Sequence, residues 1–377
     1  MNLLPFINQV CYPITDREVI PRIASGCAHT ATAPQWRHPR ACRNLKRRCR
    51  SEKEKTDRCR YLSPAFLRLA VFACVVFCIT CSVPCRESAG AERPFRVVLV
   101  VSANIRPYVE ALDGIRSELD RSIQAEVEVV MLDRFDEKAG FDLADRLVSE
   151  NRTDLIAAIG PEAAALVWRS FPNGSPSRIY SLILNPEKVI GVREIDGGIP
   201  LNIPPKVQMR MIHQGLPSLR RLGIFFDPAN NRDFFDKAAA AALELGVELV
   251  PLAVAERKDI PFLLQECFDS LDGVWLIPDR TVISESIAQY IIKQCVLQKI
   301  PVVGYNQFFY DSGAALAFVF DYADLGRQTA GLIVDTLNNK KSVKRIPVFN
   351  VWLNETVVTK LGIAMPATIQ PPVTVGP

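Results

Sequence analysis

The chain has little histidine and, over most of its length, little cysteine. Only 3 of its 377 residues are histidines, and Cys267 and Cys295 are the only two of its 11 cysteines that follow residue 85. The body of the chain, residues 92–377, contains no G-x-G-x-x-G, P-loop, G-x-S-x-G, H-E-x-x-H or C-x-x-C motif. These absences argue against a dinucleotide site, a hydrolase nucleophile and a zinc site. We predict no catalytic residue, no metal site and no cofactor for the body.

The net charge of +4 conceals an uneven division. Residues 1–91 hold 15 Lys and Arg against 6 Asp and Glu, whereas the body holds 30 against 35. A net acidic body disfavours a nucleic-acid partner, and its shortage of cysteine disfavours a disulfide-stapled fold. Two readings stay open for Cys267 and Cys295: a disulfide formed in an oxidising compartment, or two buried thiols.

Residues 1–91 are typical of a leader. An apolar segment at about 67–80 follows the basic stretch 43–60 and is too short for a comfortable transmembrane helix, but it fits the core of a secretory signal. Ala89–Ala91 supplies an A-x-A cleavage pattern. We expect export to the periplasm or extracytoplasmic face, with the leader removed or disordered.

Three alternatives for the leader stay open. Cys81 or Cys85 could carry a lipid, or the apolar segment could stay uncleaved as a membrane anchor. Translation could also start near residues 55–67 at a non-Met codon, since no methionine lies between Met1 and Met131. N-terminal sequencing of the native protein separates these possibilities.

From residue 95 onward, short apolar runs alternate with amphipathic segments of helix length. This β-α-β-α order predicts an α/β fold with parallel sheets covered on both faces. The pattern restarts after the Gly- and Pro-rich stretch 191–203, which predicts two doubly wound, Rossmann-like lobes with a ligand cleft between them. We place residues 92–200 and about 313–345 in the first lobe, and residues 201–312 and about 346–377 in the second.

Loops that follow the predicted strands carry the candidate ligand-binding residues, because ligands bind at the carboxyl ends of parallel strands. Backbone N–H groups near Ser102 and Gly160 suit an anionic group. Asp279, Asp321 and Asn185 suit an ammonium or hydroxyl group, and Tyr305 offers a stacking face. Asp279 as the cap of a helix beginning near Ile283, and the aromatic residues as plain packing, are the competing interpretations.

Other ionisable residues of the body are interpreted as structural. His213, the single histidine of the body, is expected on a helix surface or in lobe packing, since no nucleophile motif accompanies it. The pairs Asp142/Asp145 and Asp233/Asp236 are expected on solvated helix faces. We therefore predict that the protein is not an enzyme.

Two strings of the body are the most distinctive, Asp272–Val282 (DGVWLIPDRTV) and Asp321–Ala330 (DYADLGRQTA). Further strings are Asn185-Pro186, Leu216–Gly223, Ile300–Gly304, Gly313–Leu316 and Asn354–Pro366. Together they resemble the ABC transporter substrate-binding protein family typified by tryptophan- and tyrosine-binding receptors. The resemblance covers roughly residues 95–366 and is looser in the first half.

This resemblance implies a type I periplasmic-binding-protein fold with three hinge crossings, which captures a small, amino-acid-like solute for a membrane permease. Carried over by position, the family's cleft residues fall on Ser102, Gly160, Pro161, Asn185, Asp279, Tyr305, Asn306 and Asp321. Asn185 stands where the family usually has Asp, and Gly160-Pro161 where it commonly has Thr-Pro. Amino-acid specificity is thus the least transferable part, since an Asn lacks the charge that pairs with an ammonium group.

We expect a monomeric solute-binding protein whose partners are a small-molecule ligand and an ABC permease. A sensory receptor of the same fold, which signals to a membrane kinase or another partner, is the first alternative. An enzyme on a doubly wound scaffold is the second.

Overall fold

The computed structural model describes residues 93–132, 142, 146, 152–172, 175–191, 197–281, 284–340, 343–366 and 373–376. Those from Pro94 onward contribute to one compact unit. The leader, its signal-like segment and the three alternatives for it lie outside the described residues, as does most of a helix predicted over 141–148.

Twelve strands and ten α-helices are found among the described residues. The strands are β1 Phe95–Val101, β2 Ala125–Met131, β3 Leu155–Ile159, β4 Ser177–Ile183, β5 Gly198–Pro200, β6 Arg221–Phe226, β7 Glu248–Ala253, β8 Gly273–Leu276, β9 Val302–Gly304, β10 Leu316–Val319, β11 Asn350–Leu353 and β12 Val373–Val375. The helices are α1 Arg106–Ser122, α2 Pro161–Ser170, α3 Pro186–Ile190, α4 Pro205–Gly215, α5 Pro228–Glu244, α6 Ile260–Cys267, α7 Glu285–Leu297, α8 Gln307–Asp311, α9 Tyr322–Leu337 and α10 Glu355–Lys360.

The first lobe is built on a five-stranded parallel sheet in the order β2-β1-β3-β4-β5. Its central strands are apolar at almost every position because helices cover both faces of the sheet. Val97 and Val98, which point to opposite faces, are both fully buried and belong to two separate core clusters. The continuous apolar runs of the sequence thus mark a sheet with a core on each side.

The second lobe repeats this order. Its seven-stranded sheet runs β12-β11-β10-β9-β8-β6-β7, and all its neighbouring strands are parallel except β10 and β11. The part from β7 to β10 has the same strand order as the first sheet. Two parallel sheets of this kind confirm the predicted α/β, two-lobed fold class.

Helix α9 returns the chain to the first lobe, where it packs along α1. The two helices approach closely at Gly114 and Gly326. A Cβ on Gly114 would lie 2.1 Å from the carbonyl oxygen of Ala323, and one on Gly326 would lie 2.1 Å from that of Ala111. Only glycine permits this contact, because no side-chain carbon fits between the two backbones.

The boundary of this return differs from the expected one near residue 313. Strand β10 pairs with β9 and β11 in the second sheet, so the chain enters the first lobe only at Phe320-Asp321. It crosses first between β5 and α4, next between β10 and α9, and last between α9 and β11. Before the last crossing, Arg345 N donates to Gly198 O at 2.9 Å, which ties this segment to the edge of the first sheet.

Four short elements were not anticipated from the sequence. These are α3, β5, α8 and β12, each of three to five residues. Segments of this length show no measurable hydrophobic period. Strand β5 lies within the stretch 191–203 that the sequence predicts as a linker, and the three residues after it line the site described next.

Candidate functional site

A cavity of about 90 Å³ lies between the two lobes. Its wall takes residues from the carboxyl ends of β4 and β5, from the loops after β8 and β9, from α4 and α5, and from the second crossing. The lining residues are Leu184, Asn185, Leu201, Asn202, Ile203, Gln208, Asn231, Phe234, Ile277, Pro278, Tyr305, Asn306, Phe318, Phe320 and Tyr322. The site therefore depends on both lobes.

The first-lobe wall is organised by a reciprocal pair of asparagines. The backbone N–H of Asn185 donates to Asn202 Oδ1 at 2.8 Å, and Asn202 Nδ2 donates to Asn185 Oδ1 at 2.7 Å. Asn185 has φ +51° and ψ +59°, a left-handed conformation that asparagine tolerates better than most residues. The pair fixes both side chains at the end of β4 and β5.

The second-lobe wall is organised by Asp279, which is fully buried after β8. Its Oδ2 accepts from the backbone N–H of Asp227 and from Asn231 Nδ2, both at 2.7 Å. Its Oδ1 accepts from the backbone N–H of Thr281 at 2.9 Å and from Thr281 Oγ1 at 2.6 Å. Four donors thus compensate one buried carboxylate, as burial of a charge requires.

This network changes the interpretation of Asp279. Four donors of the protein occupy its carboxylate, which holds Asn231 at the cavity wall and does not itself line the cavity. Nor does it cap a helix near Ile283, since Ser284 Oγ caps α7 by accepting from Ile287 N at 3.3 Å. Asn231 is 8% exposed and sits at a kink of α5, with φ −126° and ψ +19°.

Tyr305 and Asn306, both predicted site residues, line the cavity after β9. Asn306 Oδ1 accepts from Phe309 N at 3.3 Å and so caps α8. The Tyr305 ring lies against Phe309, with centroids 4.4 Å apart and a tilt of 46°. The short helix therefore fixes the direction of both side chains.

Ser102, Gly160 and Pro161 come together but do not line this cavity. Ser102 Oγ accepts from Ala163 N at 3.0 Å, and the side chain is only 3% exposed. A Cβ on Gly160 would lie 2.5 Å from Ser102 Oγ, and Gly160 has φ +94°. Packing at the ends of β1 and β3 thus occupies the place where these residues were expected to meet a ligand, and Ser102 takes up a backbone donor at the start of α2.

Asp321 also lies apart from the cavity. It is exposed, and its Oδ1 accepts from Asp324 N at 2.8 Å as the cap of α9. It borders a wider cavity of about 410 Å³, which includes Arg106 and Trp352 and shares Asn306, Phe320 and Tyr322 with the one between the lobes. Of the eight predicted site residues, Asn185, Tyr305 and Asn306 line the cavity between the lobes, and Asp279 supports it from behind.

Asn202, Gln208 and Phe234 line the cavity but were not predicted from the sequence. Gln208 is 6% exposed and its Nε2 donates to Ile203 O at 2.7 Å, which turns this helix residue toward the first crossing. Asn202 lies in the stretch interpreted as a linker. The sequence gives little signal for these residues, because the burial of Gln208 and the position of the crossing are known only from the structure.

A wider cavity of about 500 Å³ shares Asn185, Asn202 and Asn231 with the one between the lobes. Among its other lining residues are the cations Lys188, Lys237, Lys344 and Arg345 and the acids Glu187 and Asp233. At this rim Lys188 Nζ donates to Asn230 O at 3.3 Å, which links α3 of the first lobe to α5 of the second.

Burial raises the pKa of several groups away from the site, and two of them bear on stability and reactivity. It raises the pKa of Glu162, in the first turn of α2, and raises the pKa of the Cys295 thiol to about 12. Cys267 and Cys295 are both free thiols. His213 lies on α4 and does not line the cavity between the lobes.

Two searches cover the described part of the chain only. No helix there has both the length and the apolar character needed to cross a membrane. No cluster of three or more His, Cys, Asp or Glu side chains there is placed to hold a metal ion.

Comparison with known sequences gives one family. Residues 188–372 match the family described as ABC transporter substrate binding protein, which confirms the resemblance found in the sequence. No curated protein matches the chain.

Solved structures share the fold at low sequence identity. A ligand-free, open structure of CD0873, a substrate binding protein with adhesive properties from Clostridium difficile, has a TM-score of 0.63 at 15% identity and covers 74% of this chain and 99% of its own. The ABC domain in complex with L-Trp from Streptococcus pneumonia has a TM-score of 0.51 at 18% identity and covers 73% and 96%. A sugar-binding protein of a sugar ABC transporter from Bacillus halodurans has a TM-score of 0.52 at 8% identity, and the match covers 71% of this chain and 99% of the other. These similarities establish the type I periplasmic-binding-protein fold.

Proposed function

From the match of residues 188–372 to the ABC transporter substrate binding proteins, we propose that this protein is the solute receptor of an ABC-type uptake system. The observation that carries the proposal is the cavity whose polar wall is shared between the lobes. Asn185 and Asn202 face it from the first lobe, and Asn231, held by Asp279, faces it from the second. Such a site can enclose a small organic solute.

Capture proceeds by hinge closure. The lobes are joined by three crossings, and the second contributes Phe320 and Tyr322 to the cavity wall. The bond from Lys188 to Asn230 spans the lobes at the rim, so rotation of one lobe against the other breaks it and opens the cavity. A bound solute favours the closed arrangement in proportion to its contacts with both lobes.

The ligand class implied by the sequence is amino-acid-like, and the partner is the permease of the transporter. Delivery to a permease requires export, which the apolar segment at about 67–80 serves. We propose a monomer that acts at the periplasmic or extracytoplasmic face, without catalysis of its own.

Thermal unfolding of the purified protein against a library of amino acids, sugars, nucleosides and small acids tests the proposal. A ligand at a hundredfold excess over Kd adds about 2.7 kcal/mol to the free energy of unfolding. Asn231→Ala and Tyr305→Ala should abolish the shift. Asn338→Ala, at the exposed end of α9, should keep it. If no solute in any class moves the midpoint, the receptor proposal fails.

A sensory receptor of the same fold is the first alternative. Neighbouring genes for a permease and an ATPase would favour transport, whereas a neighbouring kinase gene would favour sensing. Turnover of any ligand found in the library would instead support an enzyme.

A further inference from the structure

The polar lining of the cavity between the lobes is made of side-chain amides. They are Asn185, Asn202, Gln208, Asn231 and Asn306. Aromatic rings supply a large part of the remaining wall, namely Phe234, Tyr305, Phe318, Phe320 and Tyr322. We propose that the solute bound here is an uncharged, planar heterocycle with hydrogen-bond donors and acceptors on its edge, the chemistry of a pyrimidine base. This inference rests on the proposed receptor function and replaces the amino-acid-like ligand class by an uncharged one.

The second lobe offers an acceptor in a fixed orientation. An ionised carboxylate can only accept hydrogen bonds, so Asn231 must turn its NH₂ group toward Asp279. The amide oxygen of Asn231 is thereby left for the cavity, and it has no partner among the described residues. A ligand N–H is the group that this oxygen can take.

The first lobe offers a donor in the same way. Asn185 Oδ1 already accepts from Asn202 Nδ2, and the Asn185 backbone N–H donates to Asn202 Oδ1. The remaining hydrogen-bonding group of the Asn185 side chain is its NH₂, which can donate to a ligand carbonyl. One lobe thus supplies a donor and the other an acceptor, which matches a ring bearing C=O and N–H groups on its edge.

None of the described residues that line this cavity carries a charge. Asp279 behind it accepts from four donors of the protein, and Asp321, Glu187 and Asp233 line only the wider cavities that share residues with it. A zwitterionic solute would bring an ammonium and a carboxylate into a wall of amides and aromatic rings. Desolvation of an ion costs several kcal/mol unless an opposite charge compensates it, whereas a neutral amide edge exchanges its water contacts for equivalent hydrogen bonds.

The aromatic wall agrees with a planar solute. Two of the lining rings are held by neighbours: Tyr305 lies against Phe309, and Phe234 against Trp275 with centroids 5.5 Å apart. Such fixed rings suit stacking with a flat ligand.

Isothermal titration of the full chain tests this with probes of matched size: uracil and thymine as uncharged rings, and L-valine and L-threonine as zwitterions. We expect binding of the uncharged rings only. Asn231→Leu should weaken their binding by about tenfold or more, since it removes the acceptor. Asn185→Asp preserves the contacts with Asn202 but replaces the NH₂ donor by an acceptor. It should weaken binding of the uncharged rings by a similar factor. Asn338→Asp is the exposed control and should change nothing.

The outcomes separate the two proposals. If the zwitterions, or L-tryptophan and L-tyrosine, bind while the uncharged rings do not, the receptor function stands and this ligand class is overturned. If uracil and thymine bind equally well to Asn231→Leu and to the unaltered chain, they bind elsewhere and the inference is overturned as well. If no small solute of any class binds, both proposals fail.

Discussion

Ser181 and Thr329, 148 positions apart in the sequence, are joined by a hydrogen bond of 2.7 Å between their hydroxyl oxygens. Thr329 Oγ1 also donates to Leu325 O at 2.8 Å, so its single hydrogen is used and Ser181 is the donor to it. Both side chains are 1% exposed. This bond ties α9 to β4 and gives a physical reason for the threonine in the LGRQTA run.

The Ser181–Thr329 bond should be required for full stability of the first lobe. Thr329→Val leaves the buried hydroxyl of Ser181 without its acceptor, which should cost about 1–3 kcal/mol in urea unfolding. Thr336→Val is the control, because the Thr336 hydroxyl donates in the same way to the carbonyl oxygen four residues earlier but has no hydrogen bond to another strand or helix within the described part of the chain. The double variant Ser181→Ala/Thr329→Val should lose less than the sum of the single losses, and strict additivity would contradict the coupling.

Close packing of α1 on α9 gives a second prediction. Gly326→Ala places a methyl group 2.1 Å from the carbonyl oxygen of Ala111, so the helices must separate, at a cost of about 1–3 kcal/mol or more. Gly331→Ala, on the same helix, meets only Arg345 Nη1 at 3.9 Å. It should stabilise the protein by roughly 0.5–1 kcal/mol, because alanine is the better helix former. Equal midpoints of thermal unfolding for the two variants would show that the contact is not tight.

Burial of Glu162 predicts a pH dependence of stability. Its pKa is raised by burial, so the folded state holds the proton more tightly than the unfolded state does. The resulting stabilisation is complete below the ordinary pKa of 4.5 and is lost as the pH rises through the folded-state pKa.

Glu162→Gln removes this ionisation. The variant should therefore gain free energy of unfolding, relative to the unaltered chain, between pH 4 and pH 7. Glu285→Gln, also in the first turn of a helix, is the matched control in urea unfolding at the two pH values. If the difference in free energy of unfolding between Glu162→Gln and the unaltered chain is the same at both pH values, ionisation of Glu162 is not its cause.

The two free thiols should differ in reactivity. Burial raises the pKa of Cys295 to about 12, so at pH 8 this thiol stays protonated as well as inaccessible. Cys267 is only partly buried. Iodoacetamide should label Cys267 faster in the native protein, and Cys295 should react only after addition of urea, as followed by mass spectrometry of the separate peptides. Equal native rates would mean that the helix bearing Cys295 opens readily.

The sequence by itself determined the fold class. Continuous apolar runs such as that of β1 and β3 require strands buried on both faces, and the helices between them require parallel pairing, so two α/β lobes follow from pattern alone. The specific strings in residues 272–330 were sufficient for the family. Asn185, Tyr305 and Asn306, which line the cavity between the lobes, were predicted because each lies within two residues of the end of a strand.

Only the tertiary structure decided which strand ends line the cavity between the lobes and which are filled by the protein. Ser102, Asp279 and Asp321 have the residue types of a binding site, yet they accept from backbone and side-chain donors of the protein itself. Asn231 is held at the cavity by Asp279, which lies far from it in the sequence. Asn202 is held there by Asn185 and itself lies in the stretch interpreted as a linker. The sequence shows which hydrogen-bonding groups a side chain carries. Which partner occupies those groups is decided by contacts between residues that are distant in sequence.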